Sequence, residues 1–389
     1  MGKIKKIIIF VLVFVMMSGN ITAYGGEMQL NAISACLIDA TNGRVLYEKN
    51  GYEKRAVAST TKIMTCILAI ENADLESKVT FSKYAAGMPD VQMNAREGEE
   101  YILRDLLYAM MLESYNDVAV AVAESVSGNV KDFALLMNQK AKELGCDDTY
   151  FITPNGLDAV DENGVANTST AVDMARIAAY AIKNEEFVRI STTKCYSFCE
   201  LNGKRNVTVN NKDAFLNQME GAIGVKTGFT GKAGYCFVGA LKKDGKVLVS
   251  VVLASGWPPN KTYKWKDTAT LMNYGLRNFQ NKVVYDGYEE CGKIKVVDGV
   301  KPSVDTYAKG HVELQVGNEE KVTVYYNMLK ELKAPVKSGQ TVGQIEIFID
   351  DTLYETIPIK TKASVKKTDF YYYFTKVWSR YCGRNKKNP

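Results

Sequence analysis

The chain changes hydrophobic rhythm region by region. Ile33 to Asp39 and Val45 to Glu48 are strand-like runs on either side of Thr41-Asn42-Gly43-Arg44. Asn-Gly accepts the positive φ angles of a tight turn, so the two runs predict a β-hairpin. Ile63, Met64, Ile67 and Leu68 then fall at helical spacing. From about Leu75 to Ile182 the pattern stays mostly helical. Leu103, Leu106, Leu107, Met110 and Met111 form one stripe, Val118 to Val126 a second ending at Gly128, and Phe133 to Leu144 a third capped by Gly145. Between the first two, Glu113-Ser114-Tyr115-Asn116-Asp117 breaks the apolar face and predicts an interhelical loop. Strand rhythm returns at Ala222 to Lys226. It continues at Tyr235 to Leu241 and Lys246 to Leu253, a hairpin through Asp244-Gly245. Thr268 to Phe279 predicts a closing helix. Strands that flank a helical insertion make this region α/β.

After about Asn281 the pattern shifts to short runs rich in Val, Ile, Tyr and Thr, separated by Gly and Asp turns: 293–297, 312–316, 321–326, 344–349 and 352–359. They predict a separate small all-β domain, and 389 residues exceed one typical core. The division expected is a signal peptide over 1–25, a catalytic domain over 27–280, a β-rich domain over 281–363 and a basic aromatic tail over 364–389. The leader has Lys3, Lys5 and Lys6 before an apolar run from Ile7 to Met17, then small residues with candidate cleavage after Ala23 or Gly25. The run is short of the about 20 residues a membrane span needs. Export is expected, with the mature chain at the outer face of the cytoplasmic membrane or in the cell wall. In the tail, Phe370 to Phe374, Trp378 and Tyr381 mix with Lys376, Arg380, Lys386 and Lys387, which suits a lipid headgroup zone. Three successive tyrosines argue against a regular helix there.

Charge sharpens this picture. The net charge is +5, of which the leader carries +3 and the tail from Lys362 onward +7, leaving a body of −5. A mildly acidic body with a basic tail argues for a surface-seeking tail and against nucleic acid. His311 is the single histidine, which leaves almost no room for Ser-His-Asp or Cys-His catalysis and excludes a His-rich metal site. Of eight cysteines, Cys36, Cys66 and Cys236 sit in apolar patterns that suit buried thiols. Cys195 and Cys199 lack a second ligand pair, so no metal and no cofactor are expected.

Candidate chemistry starts at Ala58-Ser59-Thr60-Thr61-Lys62. Ser59 and Lys62, three apart at the start of an apolar helix, share a face about one turn apart. A neutral amine there can take the hydroxyl proton and make Ser59 a nucleophile. Alone, Ser-x-x-Lys is weak, because a serine before an apolar helix is usually an N-cap. Two further stretches change the weight: Ser114-Tyr115-Asn116, a second hydroxyl with a side-chain amide, and Lys226-Thr227-Gly228 at the end of a predicted strand, entering a glycine-bearing turn.

With these three stations in this order, the chain resembles the low-molecular-mass penicillin-binding proteins that are D-alanyl-D-alanine carboxypeptidases, within the serine β-lactamase and penicillin-binding superfamily. Leu37-Ile38-Asp39-Ala40, Gly43-Arg44-Val45-Leu46-Tyr47, Asn155-Gly156-Leu157-Asp158 and Ala233-Gly234-Tyr235-Cys236 carry the likeness along the chain. The resemblance implies a β-lactamase/transpeptidase-like domain, an antiparallel sheet flanked by helices with a helical subdomain, followed by the all-β domain. It implies that Ser59 attacks the penultimate D-Ala carbonyl of a peptidoglycan stem peptide, with Lys62 as base and Ser114 relaying the proton. Lys226 is the candidate cation that would lower the Lys62 pKa. Asn116 would hold the substrate amide, and Lys226 and Thr227 its carboxylate. Gly228 would let the substrate lie on the strand edge, and the Ser59 and Phe229 N–H groups would form the oxyanion hole. Relatives place an arginine before the closing helix; the matching position here is Lys264, which lacks the bidentate fork. β-Lactams would be covalent inhibitors.

Three rival readings share features with this one. A class A β-lactamase needs a Glu-x-x-Leu-Asn element, and none occurs between Asn116 and Lys226. A D,D-endopeptidase cutting cross-links shares the stations, but the β domain and basic aromatic tail favour the carboxypeptidase. A non-catalytic peptidoglycan or penicillin binder would show a broken station.

Overall fold

The computed structural model describes residues 28–384; the expected signal peptide and the last five residues lie outside the described residues. The strands are β1 (Ser34–Asp39), β2 (Val45–Lys49), β3 (Lys78–Thr80), β4 (Glu100–Ile102), β5 (Cys195–Cys199), β6 (Asn206–Asn210), β7 (Ala222–Thr230), β8 (Gly234–Lys243), β9 (Lys246–Leu253), β10 (Phe279–Val297), β11 (Ser303–Gly317), β12 (Val322–Met328), β13 (Glu331–Lys333), β14 (Thr341–Ile349) and β15 (Thr352–Thr361). The helices are α1 (Lys62–Asn72), α2 (Lys83–Ala86), α3 (Leu103–Glu113), α4 (Asn116–Ser127), α5 (Val130–Glu143), α6 (Ala171–Ala181), α7 (Glu185–Thr192), α8 (Tyr263–Asn278) and α9 (Phe370–Arg384).

The chain forms two compact units, one reaching Asp286 and including His311–Glu320, the other built from Gly287–Gly310 and the chain from Lys321 onward. In the first, a five-stranded antiparallel sheet has the order β2-β1-β9-β8-β7. Its central strands β1, β9 and β8 are buried on both faces, which is why they read as near-continuous apolar runs. One face packs on the helical insertion through Ile38, Val249, Val251, Ile63, Met64 and Ile177. The other packs on α8 through Leu37, Phe237, Leu248, Leu271 and Met272. α1 and α4 cross the middle of the insertion and are almost wholly buried. Cys36, Cys66 and Cys236 are buried free thiols whose pKa values burial raises, so they are inert.

Several boundaries differ from the sequence expectation: β10 and β11 begin at Phe279 and Ser303, well before 293 and 312, and two other shifts bear on the site. The loop over 113–117 shrinks to Ser114 and Tyr115, because Asn116 and Asp117 already belong to α4 and point inward. The closing helix starts five residues before Thr268, at Tyr263. Its first turn carries inward polar groups, Lys264 and Asp267, which hide the apolar rhythm. Asp267 accepts from Ala32 N at 2.7 Å and from Ser255 Oγ at 2.7 Å.

In the second unit a six-stranded sheet has the order β12-β14-β15-β11-β10-β13, with β13 parallel to β10. Alternate residues such as Val304, Ile345, Ile347, Ile357 and Ile359 are buried. The last described element is the helix α9, contrary to the expectation from its tyrosines. Phe370 stacks on Phe374, and Phe374 on Trp378, at 6.2 and 5.9 Å between centroids. Such i, i+4 aromatic pairs support a helix of weak intrinsic propensity. Among the described residues no helix is long and apolar enough to cross a membrane.

Candidate active site

Ser59 lies in a 3-10 turn, Ala58–Thr61, that runs straight into α1, so Lys62 is the first residue of that helix. Ala58 has φ +48°, an uncommon left-handed value for a residue with a side chain. Two glycines from distant segments seat this turn. A Cβ on Gly156, itself at φ +79°, would lie 1.9 Å from the Ala58 carbonyl oxygen. A Cβ on Gly228 would lie 3.1 Å from both Ser59 N and Val57 O. The turn is therefore wedged between the 155–157 loop and β7. Thr65 Oγ1 donates to Pro154 O at 2.6 Å and ties that loop to α1.

Lys62 is fully buried. Its Nζ lies 2.9 Å from Ser59 Oγ, 2.9 Å from Asn116 Oδ1 and 2.6 Å from the Asn155 carbonyl oxygen. The Asn116 amide donates to Pro89 O at 3.1 Å and Asp90 O at 2.9 Å, which fixes its Oδ1 toward the amine. Lys62 Nζ donates to all three, and once the amine is neutral, with Asn116 Oδ1 and Asn155 O accepting its two hydrogens, its lone pair is left for Ser59 Oγ. Burial holds the Lys62 pKa well below the usual lysine range, Lys226 lowers it further, and Asp117 opposes them. Lys226 acts as expected, but burial is the larger cause.

Ser114, at φ +70°, turns the chain from α3 into α4 and is half-buried; among the described residues no hydrogen bond joins its side chain to Ser59 or Lys62. Lys226, Thr227, Gly228 and Phe229 all lie within β7, opposite Val238, Phe237, Cys236 and Tyr235. The motif is thus inside an edge strand and not, as expected, at a strand end entering a turn. Gly228 also differs in its reason: the direction a side chain would take leads into the Ser59 turn, so the close approach it permits is that of the nucleophile's own backbone. Phe229 is exposed, with its ring 4.7 Å from that of Tyr235. Lys226 is buried, and its Nζ donates to Thr227 O at 3.2 Å. Lys264, in the first turn of α8, is buried with Nζ 5.1 Å from the Tyr235 ring centroid and 4.8 Å from that of Trp265. Burial pushes Lys226 down to about 7, with Asp213 opposing and Lys264 adding to the shift. Burial and Lys261 push Lys264 down to about 8.

Three participants escaped the sequence reading. Asn155 acts through its backbone carbonyl and Gly156 through its lack of a side chain, so neither announces itself by chemistry. Asp213, a buried acid near both lysines, sits in a polar stretch that reads as loop. Among the described residues no cluster of three or more His, Cys, Asp or Glu is placed to hold a metal.

A hydroxyl held against a buried amine, on an antiparallel α/β scaffold, is an arrangement that suits a serine hydrolase. The profile of the D-alanyl-D-alanine carboxypeptidase family matches residues 21–256, and that of the penicillin-binding protein 5 C-terminal domain matches residues 279–367. D-alanyl-D-alanine carboxypeptidase DacF of Bacillus subtilis is 30% identical over 352 residues, covering 88% of each chain. DacC of Escherichia coli is 30% identical over 379 residues, covering 92% of this chain and 90% of that one. The crystal structure of penicillin binding protein 5 from Haemophilus influenzae superposes with a TM-score of 0.73 at 27% identity, covering 88% of this chain and all of that one. The chain belongs to the D-alanyl-D-alanine carboxypeptidase family of low-molecular-mass penicillin-binding proteins.

Proposed function

We propose that this enzyme removes the terminal D-Ala from peptidoglycan stem peptides through an ester on Ser59, and that penicillins block it by acylating the same oxygen. The observation that carries the reading is the Lys62 amine, 2.9 Å from Ser59 Oγ with its two other directions taken by Asn116 and Asn155. Ser59 Oγ forms a bond to the penultimate D-Ala carbonyl carbon as its proton passes to Lys62. The C–N bond to the terminal D-Ala then breaks, and Ser114 relays the proton to the leaving amine. Water hydrolyses the ester and frees the shortened peptide. Asn116, expected to hold the substrate amide, spends its Oδ1 on Lys62 and its amide on Pro89 O and Asp90 O, so in the free enzyme it holds the base in place and would meet the substrate amide only by exchanging one of these bonds. The N–H groups of Ser59 and Phe229 stabilise the oxyanion, worth about 3 kcal/mol per donor. Lys226, Thr227 and Lys264 take the terminal carboxylate. Because β7 is an edge strand, an extended peptide could lie along its outer side next to Lys226–Phe229.

Among the described residues the atoms bonded to Ser59 Oγ are Lys62 Nζ and, at 3.5 Å, Asn155 O. A backbone carbonyl there, with no carboxylate to activate water, favours the carboxypeptidase over a β-lactamase. The proposed domain limits are 27–280 for catalysis, 281–363 for the β-rich domain and 364–389 for the tail. Export by the 1–25 leader would bring the enzyme to the outer face of the cytoplasmic membrane. The aromatic face of α9, with Phe370, Phe374, Val377, Trp378 and Tyr381 exposed, would rest on lipid.

The test incubates protein lacking leader and tail with a peptide ending in Lys-D-Ala-D-Ala and assays free D-Ala with and without penicillin. Release that penicillin blocks, and that Ser59→Ala abolishes together with covalent labelling, is expected. Labelling retained by Ser59→Ala would overturn the nucleophile; labelling without release would point to a cross-linked substrate instead.

A further inference from the structure

Asp213 is used by nothing in the mechanism above, yet its burial is extreme for an acid. It is 5% exposed at the start of the 3-10 turn Ala214–Asn217, which packs against β7. Its Oδ1 accepts from Phe215 N at 2.9 Å, while Oδ2 is buried without a hydrogen-bond partner. The charges it feels first are those of Lys226 and Lys264. Both lysines are themselves buried, and among the described residues neither forms an ion pair within 4 Å. Three ionisable groups are therefore buried on neighbouring elements: Lys226 on β7, Asp213 at the turn that packs against β7, and Lys264 in α8, which packs on β8 beside it.

We propose that Asp213 is a positioning residue of the carboxylate pocket: its buried charge strengthens the hold of Lys226 and Lys264 on their protons, so that the pocket takes an anion to a higher pH than burial alone would allow. The inference rests on the reading of Lys226 and Lys264 given above. Burial drives both amines toward neutrality, and an uncharged pair has little hold on a carboxylate. Asp213 is the chief charge working against that for Lys226, and it acts in the same sense on Lys264. The other charges in reach are Glu113 for Lys226, Lys261 and Cys236 for Lys264, and Lys62 with Asp117 beyond Lys226. Two ammonium groups against one carboxylate leave the pocket net positive. Burial pushes Asp213 up to about 7, so its charge is absent in acid and present in alkali, where the lysines begin to lose protons. The three groups titrate as one cluster.

Asp213→Asn keeps an oxygen to cap Phe215 N and removes only the charge. In kcat/KM against pH for a diacetyl-Lys-D-Ala-D-Ala peptide, the alkaline limb of D213N moves acidward by about one pH unit, and KM at pH 8.5 rises about tenfold. The two proteins converge near about pH 5.5, where wild-type Asp213 carries its own proton. Acylation by a penicillin methyl ester, which lacks the anion, shows no such divergence; a cap lost for structural reasons would depress both substrates at every pH. Asp213→Ser, also a good cap, carries the same test should D213N fail to fold. An unmoved or alkaline-shifted limb overturns the proposal. Lys226→Gln separates the two layers. If it raises KM while D213N does nothing, Asp213 alone is misassigned; if it leaves KM unchanged, the carboxylate pocket itself is misassigned.

Discussion

Lys226→Met tests whether the buried lysines are held against their own stability. Lys226 is 2% exposed, and its Nζ makes one hydrogen bond, to Thr227 O at 3.2 Å. Burial lowers its pKa from 10.5 to about 7. The unfolded chain therefore holds a proton between those values that the folded chain does not. Stability must rise with pH across that window, and the full penalty is present at and below pH 7. A shift of that size corresponds to about 5 kcal/mol at 1.36 kcal/mol per unit. Methionine fills a similar volume without a charge. It forfeits about 1 kcal/mol of hydrogen bonding and leaves Asp213 to take up a proton at a similar cost. The variant is expected to be about 3 kcal/mol more stable at pH 7 and no more stable than wild type at pH 10, with D-Ala release lost. Urea unfolding at pH 6, 7, 8.5 and 10 reads this through Trp257 and Trp265, which lie in the same unit as Lys226. A variant less stable at pH 7, or a gain that grows with pH, would refute the reasoning.

The two glycines at the Ser59 turn make a graded pair. Gly228→Ala must push backbone at Ser59 and Val57 by a few tenths of an ångström; penicillin acylation should fall about tenfold, with about 1 kcal/mol lost from thermal unfolding. Gly156→Ala meets Ala58 O at 1.9 Å and a left-handed φ together. It should cost more than about 3 kcal/mol and abolish acylation, and wild-type rates would show that the turn is not seated there. Truncation before Phe370 should leave D-Ala release unchanged in solution and remove binding to anionic vesicles in a sedimentation assay; equal sedimentation would exclude α9 as the anchor.

Much of this protein is written in one dimension. The strands β8 and β9, the helices α3 and α5 and the change to strand rhythm after 281 are legible because burial repeats with the period of the element, although β10 and β11 are far longer than the short runs expected. Ser59 and Lys62 are legible because three residues along a helix already bring two side chains together. What failed to show were the places where polar groups point inward. Asn116 and Asp117 interrupt an apolar stripe and so read as loop, although both are buried at the start of α4. Lys264 and Asp267 hide the first turn of α8 in the same way.

Tertiary structure alone decided the rest. Asn155 lies 93 residues from Lys62 and accepts a hydrogen bond from its Nζ through a backbone carbonyl that any residue could offer. Gly156 and Gly228 matter because distant backbones approach the Ser59 turn, a crowding that no periodicity encodes. The Lys62 pKa is lowered chiefly because the folded core excludes water from it, with Lys226 as the second cause. Composition and spacing determined which groups the chain owns and which neighbours share a face. Only packing could set their protonation, because a pKa depends on the solvent and charges around a group, and both are products of the fold.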